Sequence, residues 1–350
     1  MNLFFASFIP GLKDFTAGIV RERLPDARIH KLLDGAIIFE TAVSYDKLNF
    51  FCFNNIFAVI NIIEVSNAEK RGGFLIEKHV RSVLNSQGNI NEEVISFNSK
   101  DIRSFRIVVS DENTPVSVDE KLRAETEKFI SRLSHLNVNR SLPDTEFWFL
   151  RRREENGEQL TVFMKRLTLR SSWEKTLHKG ELPPPLAWIL CRLAFLVHSD
   201  TVLDPFCGYG SIPQAAVKYF HITKFIANDN NREAASCTAA KFGKRKKSEL
   251  VLYKEDFKAL VPILGEKSID AIVTDPPWGH FKNVNDNRFL ENMFDVFYKL
   301  LKDQGRAAVL FANDDSFLKA KPSSFELTES IPILLSGKKA AIYVVRKISN

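Results

Sequence analysis

Two short segments of this 350-residue chain carry residue types whose spacing suits chemistry on an amino group. The first is Asp275-Pro276-Pro277-Trp278-Gly279, which follows the apolar stretch Ile269 to Thr274. Each proline fixes its φ and lacks an N–H, so the segment presents carbonyl oxygens without competing donors. Asp275 and the carbonyl of Pro276 are placed to accept two amino protons and turn the nitrogen lone pair toward an electrophilic carbon. Trp278 adds a flat face on which a flipped base can stack. Positioning and exclusion of water suffice for an in-line displacement of this kind, with no metal and no covalent intermediate. A rigid Pro-Pro turn carrying a core tryptophan is the plainer alternative.

The second segment is Asp204-Pro205-Phe206-Cys207-Gly208-Tyr209-Gly210, after Thr201-Val202-Leu203. Two glycines just past a strand let the backbone approach a ligand at the carboxyl edge of a sheet. A dinucleotide fingerprint requires a third glycine where Pro213 stands, and no Walker lysine follows. An acid ahead of the glycines suits a ligand with a positive end, and S-adenosylmethionine has an ammonium and a sulfonium. Asp204 is the candidate for its methionine end, with Pro205, Cys207, Gly208 and Gly210 lining the approach. Asp229, next to Asn230, closes a second strand and can accept both ribose hydroxyls. Asp256 and Phe257 follow a third strand, where they can take an adenine amino group and stack on its ring. Each acid alone reads equally well as a helix cap; three at successive strand ends favour a ligand. Cys207 reads as a small buried residue, since no histidine stands at a partner position.

The elements that must position these residues lie after residue 170. Pro183-Pro184-Pro185 opens a helix running to about His198. Apolar strands alternate with helices thereafter: Thr201 to Asp204, Lys224 to Asp229, Leu250 to Tyr253, Ile269 to Thr274 and Arg306 to Phe311. Such alternation predicts an α/β fold with a parallel, doubly wound sheet. Phe325 to Leu335 and Ala340 to Arg346 flank Ser336-Gly337-Lys338-Lys339, too short a loop for anything but an antiparallel pair. A doubly wound sheet with an antiparallel last strand is the methyltransferase variant of the Rossmann architecture.

The first 170 residues read as α+β. Phe4 to Phe8 and Ala36 to Glu40 predict strands, the chain from Gly11 to Leu24 a helix, and Ser117 to His135 a second helix. Phe147 to Leu150 and Leu160 to Met164 predict a hairpin around Glu154-Glu155-Asn156-Gly157. The mixture of 45% hydrophobic and 26% charged residues is that of a globular protein. No apolar run reaches the roughly 20 residues a bilayer requires, and Phe50 to Ile63 is interrupted by Asn54, Asn55 and Asn61. Four scattered cysteines without a C-x-x-C pair argue against a disulfide framework or zinc site and fit a reducing cytoplasm. The net charge of +6 suits a polyanionic partner, as does Lys244-Arg245-Lys246-Lys247, equally readable as a solvated loop.

Asp204 to Gly210, Asp229, Asp256 and Asp275 to Trp278 together resemble the amino-methyltransferases with a (D/N)-P-P-(Y/F/W) motif, which use S-adenosylmethionine. Lys179-Gly180-Glu181-Leu182-Pro183-Pro184-Pro185 resembles the cofactor-covering segment of that group. Phe4-Phe5-Ala6 through Pro10-Gly11-Leu12, with Gly35 to Glu40, looks like the ferredoxin-like domain that precedes a THUMP domain. Pro143 to Trp148 is similar to the end of THUMP itself. The chain as a whole resembles THUMP-containing tRNA guanine-N2 methyltransferases. The resemblance implies a ferredoxin-like domain over 1–60, a THUMP RNA-binding domain over 61–168 and a Rossmann-fold catalytic domain over 169–350. It also implies tRNA as partner, held by its acceptor stem and 3′ end, with ribosomal RNA second. DNA adenine-N6 methylation, glutamine methylation of a protein and a non-catalytic RNA-binding module remain alternatives at this point.

Overall fold

The computed structural model describes residues 1–65, 74–85, 90–99, 101–112, 114–154, 158–168, 177–242, 249–278 and 287–348. It comprises two compact units, Met1–Phe8 with Lys13–Ser171, and Ile9–Leu12 with Ser172–Asn350.

The first unit runs β1 (Asn2–Ser7), α1 (Lys13–Arg23), β2 (Arg28–Leu33), β3 (Ala36–Thr41), β4 (Asn55–Val65), α2 (Phe74–Asn85), α3 (Glu92–Ser96), β5 (Ser104–Asp111), β6 (Thr114–Pro115), α4 (Glu120–Ser134), β7 (Asn137–Val138), β8 (Thr145–Arg153) and β9 (Gln159–Arg166). Among the described residues these strands form one sheet in the order β2-β3-β1-β4-β9-β8-β5-β6, with β7 beside β5. β4 crosses residue 60 and pairs antiparallel with β1 on one edge, Phe4 opposite Ala58, and with β9 on the other, Ile62 opposite Val162. Residues 1–60 and 61–168 therefore contribute to a single sheet. α4 starts three residues later than its apolar spacing suggests, because the Asp119 carboxylate accepts Leu122 N at 3.1 Å and caps it. β8 and β9 pair antiparallel, and the rings of Phe149 and Phe163 stack at 4.3 Å; Glu155-Asn156-Gly157 of the expected turn lie outside the described residues.

Two buried charges lace this sheet. Lys165 on β9 donates from Nζ to the carbonyls of Ile95 and Phe97 and to Asn98 Oδ1 at 2.7 Å, satisfying carbonyls at the end of α3. Glu146 on β8 accepts from Arg106, from Arg166 Nη1 at 3.1 Å and from Trp148 Nε1 at 3.0 Å.

The second unit runs α5 (Pro184–Leu193), β10 (Thr201–Asp204), α6 (Ser211–Tyr219), β11 (Lys224–Asn228), α7 (Arg232–Phe242), β12 (Glu249–Tyr253), a 3-10 turn Phe257–Ala259, α8 (Leu260–Leu264), β13 (Ile269–Thr274), α9 (Asn287–Leu300), β14 (Leu301–Ala312), α10 (Ser316–Ala320), β15 (Phe325–Leu335) and β16 (Lys338–Lys347). Its sheet has the order β12-β11-β10-β13-β14-β16-β15. β10 to β14 pair parallel and the β15–β16 hairpin antiparallel. The expected α/β fold with an antiparallel last strand is thus the observed one. Ser336 and Gly337 both take positive φ, 49° and 79°, as a two-residue hairpin turn requires.

β10 lies between β11 and β13, where the chain reverses its direction of travel across the sheet. Strand ends part at such a switch point and leave a crevice at the carboxyl edge. At the opposite edge, α5 stops at Leu193 rather than near His198. Phe195 takes φ 49°, and Arg306 on β14 donates to the carbonyls of Ala194 at 2.6 Å and Phe195 at 2.9 Å while pairing with Asp200. The apolar strands and α9 enclose a core that includes Phe294, Phe297, Phe317 and Tyr343.

Candidate active site

The glycine loop is held by polar side chains of the neighbouring elements. Asp229, just past β11, accepts Gly208 N at 2.7 Å on one oxygen and Asn231 N at 2.8 Å on the other. Thr238 on α7 donates to the Gly208 carbonyl at 2.8 Å. Gly210 sits at φ 85°, where a Cβ would come within 2.8 Å of Thr238, so this packing admits no side chain. Gly208, at φ 48°, has no other atom within 4 Å of the position of a Cβ, which leaves open space beside the loop. Asn228, buried, donates to the carbonyls of Pro205 at 3.1 Å and Glu255 at 3.0 Å, and its Oδ1 accepts Glu255 N. One amide side chain thereby ties together the ends of β10, β11 and β12.

Asp204 is 1% exposed. Its Oδ1 accepts Thr274 Oγ1 at 2.7 Å and Phe206 N at 3.2 Å, while its Oδ2 is buried with no partner. Burial pushes its carboxyl well above the usual carboxylate range; the Thr274 and Phe206 bonds pull it back, and the charges of Asp229 and Asp275 push it further up. Among the described residues none of these three carboxylates has an ion pair. A buried, crowded carboxylate is costly unless a cation compensates it. The orphaned oxygen, the open space beside Gly208 and the absence of a protein cation among the described residues fit a cofactor with a positive end.

Asp275 follows β13 and is partly buried. Its Oδ1 accepts the Trp278 indole Nε1 at 2.7 Å. Burial pushes its carboxyl up to about 7, against the pull of that indole bond. Pro276 is buried, Pro277 half-buried, and Trp278 packs partly against the core; Gly279 lies outside the described residues. The four motif residues therefore meet β10 at the switch point, next to Asp204.

The covering segment is tied to the loop. The ring of His178 stacks on Tyr209 at 4.0 Å, inclined by 4°. Glu181 accepts from Ser211 Oγ at 3.3 Å, from its neighbour His178 N at 3.1 Å and from Lys241. Glu181 thus ties Lys179, Gly180 and the buried Leu182 to α6 and α7. Glu181 therefore fastens this segment to the loop.

Two residues expected at the cofactor have protein partners in the structure, and Cys207 is buried as expected. Asp256 is exposed and its Oδ1 accepts Lys258 N at 2.9 Å, capping the 3-10 turn. Phe257 is buried against Phe206 and Phe289, ring centroids 5.1 and 5.6 Å away, so its ring belongs to the core and not to an open stacking face. Burial and the carboxylates of Asp204 and Asp229 push the Cys207 thiol far up, the opposite of what a nucleophile needs. Asn230 is exposed, and Lys244 to Lys247 lie outside the described residues. Sequence reasoning missed Asn228, Thr238 and Thr274. The available signal was a polar residue closing an apolar strand in the first and last cases.

Comparison with known proteins gives four results. A family model described as RMKL-like, methyltransferase domain, matches residues 171–330. The "tRNA (guanine(10)-N2)-dimethyltransferase" of Methanocaldococcus jannaschii is 26% identical over 68% of this chain and 71% of its own length. The "Probable tRNA (guanine(10)-N2)-dimethyltransferase" of Methanothermococcus thermolithotrophicus is 30% identical over 34% of this chain and 75% of its own length. Among solved structures, TrmN from Thermus thermophilus superposes with a TM-score of 0.75 at 19% identity, covering 99% of this chain and 100% of that one.

Proposed function

This chain belongs to the family of the tRNA (guanine-N2) methyltransferases, and from that membership we propose that it methylates the exocyclic N2 of a guanosine in tRNA. The observation that carries the reading is Asp204, a buried carboxylate with an orphaned oxygen at the switch point, beside Asp275 and a glycine loop already held in shape. S-adenosylmethionine, when bound, supplies an electrophilic methyl group next to the target amine. Asp204 would hold the positive end of that donor, and the open space beside Gly208 would give it room. Asp229 keeps the loop in place and remains the candidate for the ribose hydroxyls.

The remaining work falls to the motif. Asp275, ionised, and the carbonyl of Pro276 accept the two protons of the guanine amino group, so the nitrogen lone pair points at the methyl carbon. Asp275 also stabilises the positive charge that develops on nitrogen and is placed to take the proton released after transfer. Positioning of this kind accounts for a large part of the barrier reduction when reacting atoms are held near contact. We read the first unit as a THUMP-type RNA-binding region that selects the acceptor stem and 3′ end, and the protein as cytoplasmic.

The test is methylation of in-vitro transcribed tRNA by the full chain, with nucleoside mass spectrometry. N2-methylguanosine should form on intact tRNA and be lost when the 3′ end is trimmed. A fragment starting at Ser172 should bind cofactor yet lose RNA selectivity, and RNA affinity of the full chain should fall steeply with salt. Better turnover on DNA adenine, or equal tRNA turnover by the fragment, would overturn the reading.

A further inference from the structure

The fourth residue of the motif is a tryptophan, and it has a use that its commoner alternatives lack. Trp278 Nε1 lies 2.7 Å from Asp275 Oδ1, three residues back. An indole N–H only donates, so it neither competes for protons nor needs one. Phenylalanine has no donor, and tyrosine carries its hydroxyl at the far end of the ring. The indole is also braced, because it packs partly against the core cluster around α9 and β13. Two prolines between Asp275 and Trp278 hold φ at both intervening positions, which limits how far the two side chains can drift apart.

Resting on the reading that Asp275 takes the target amino group, we propose that Trp278 is a positioning residue: its N–H holds Oδ1 of Asp275 and leaves Oδ2 as the oxygen that meets the amine. The geometry divides one carboxylate into an anchored oxygen and a working one. The anchor also keeps the carboxylate ionised in a setting that opposes ionisation. The neighbouring strand end carries a further acid, Asp204 on β10, whose carboxyl is pushed up by the charges of Asp275 and Asp229. Burial pushes Asp275 up to about 7 while the indole bond pulls it down. A protonated Asp275 presents an O–H where the amine needs an acceptor, so turnover falls on the acid side as Asp275 takes up a proton. Removing the indole N–H raises the pH at which that happens.

The experiment is single-turnover methylation by the full-length protein between pH 5.5 and 9.5, at saturating RNA and S-adenosylmethionine, for the parent, Trp278→Phe and Asp275→Asn. A hydrogen bond to a charged group is worth enough to move a pKa by about one unit. Trp278→Phe should therefore shift the acid limb up by about one pH unit. Its rate should fall about tenfold near pH 6.5 and recover to within about threefold of the parent near pH 9, with cofactor affinity unchanged. Replacing Trp278 with 3-benzothienylalanine, which keeps the bicyclic shape but has sulfur in place of N–H, should reproduce the shift; it also serves if the phenylalanine variant folds poorly. A uniform loss at every pH, with the midpoint unmoved in both variants, would overturn the proposal and leave Trp278 as a stacking surface. The acid limb should vanish in Asp275→Asn. If it persists there, Asp275 is not the titrating acceptor and the underlying reading falls as well.

Discussion

Each of the two units contains a tryptophan that donates its indole N–H to a nearby acid, Trp148 to Glu146 in the first and Trp278 to Asp275 in the second. The two acids titrate in opposite directions. Burial pushes Glu146 up, but Trp148, Arg106 and Arg166 outweigh it and hold the carboxyl below its usual range. Among the described residues Asp275 has the indole and no arginine, and burial takes it up to about 7. Asp204, at the next strand end, is left with an oxygen that nothing in the described protein satisfies. On the proposed reading, the difference separates a charge that holds a fold from one kept for a ligand. The first kind is neutralised by its own chain, whereas the second is left incomplete at the edge where the proposed cofactor would enter.

The comparison breaks most visibly at Glu146. Glu146→Ala removes the carboxylate that accepts from Arg166, 6% exposed at its side chain, and from Arg106. Removing one partner of a buried pair costs about 3–5 kcal/mol, so denaturant unfolding of this variant should show a loss of that size. A loss below about 1 kcal/mol would mean that the first unit does not depend on the pair. Next in size is Asp275→Ala. It should retain its circular dichroism and most of its cofactor affinity but lose turnover by at least about 100-fold, near 2.7 kcal/mol at 1.36 kcal/mol per decade. Near-normal turnover would remove Asp275 from the chemistry. The smallest effect sharpens the contrast. Asp204→Asn removes an uncompensated buried charge, so thermal unfolding should be unchanged or slightly later. Calorimetry should show cofactor affinity down by about tenfold, roughly 1.4 kcal/mol. A variant with intact affinity would return Asp204 to a structural role.

Much of this is legible in the amino-acid sequence. Strands β10 to β14 stand out because a strand covered on both faces reads as an unbroken apolar run. Asp275-Pro276-Pro277-Trp278 stands out because prolines in that place have few other uses. β2 was missed, since Arg28-Ile29-His30-Lys31 carries too little apolar content to mark a strand. β4 was visible only as an apolar stretch interrupted by asparagines. In the site, strand-end position identified which acids gather at the carboxyl edge but not how their oxygens are used. Asp256 caps a turn, Glu181 fastens a segment, and Phe257 packs into the core. Asn228 and Thr274 act on groups that are distant in sequence or on backbone atoms, and spacing along one strand contains no trace of such partners.

Arg306 has a consequence for the order in which the chain is made. Its guanidinium reaches carbonyls 112 and 111 residues earlier in the sequence, and Asp200, 106 residues earlier. During synthesis the glycine loop leaves the ribosome long before the residue that pins α5 to the far edge of its sheet. Contacts between distant segments form late and slowly. The first unit has all its strands by Arg166 and can close while the rest is still being translated. The nascent chain thus passes through an interval in which the first unit is folded and the second, with its crowded acids, is still being assembled.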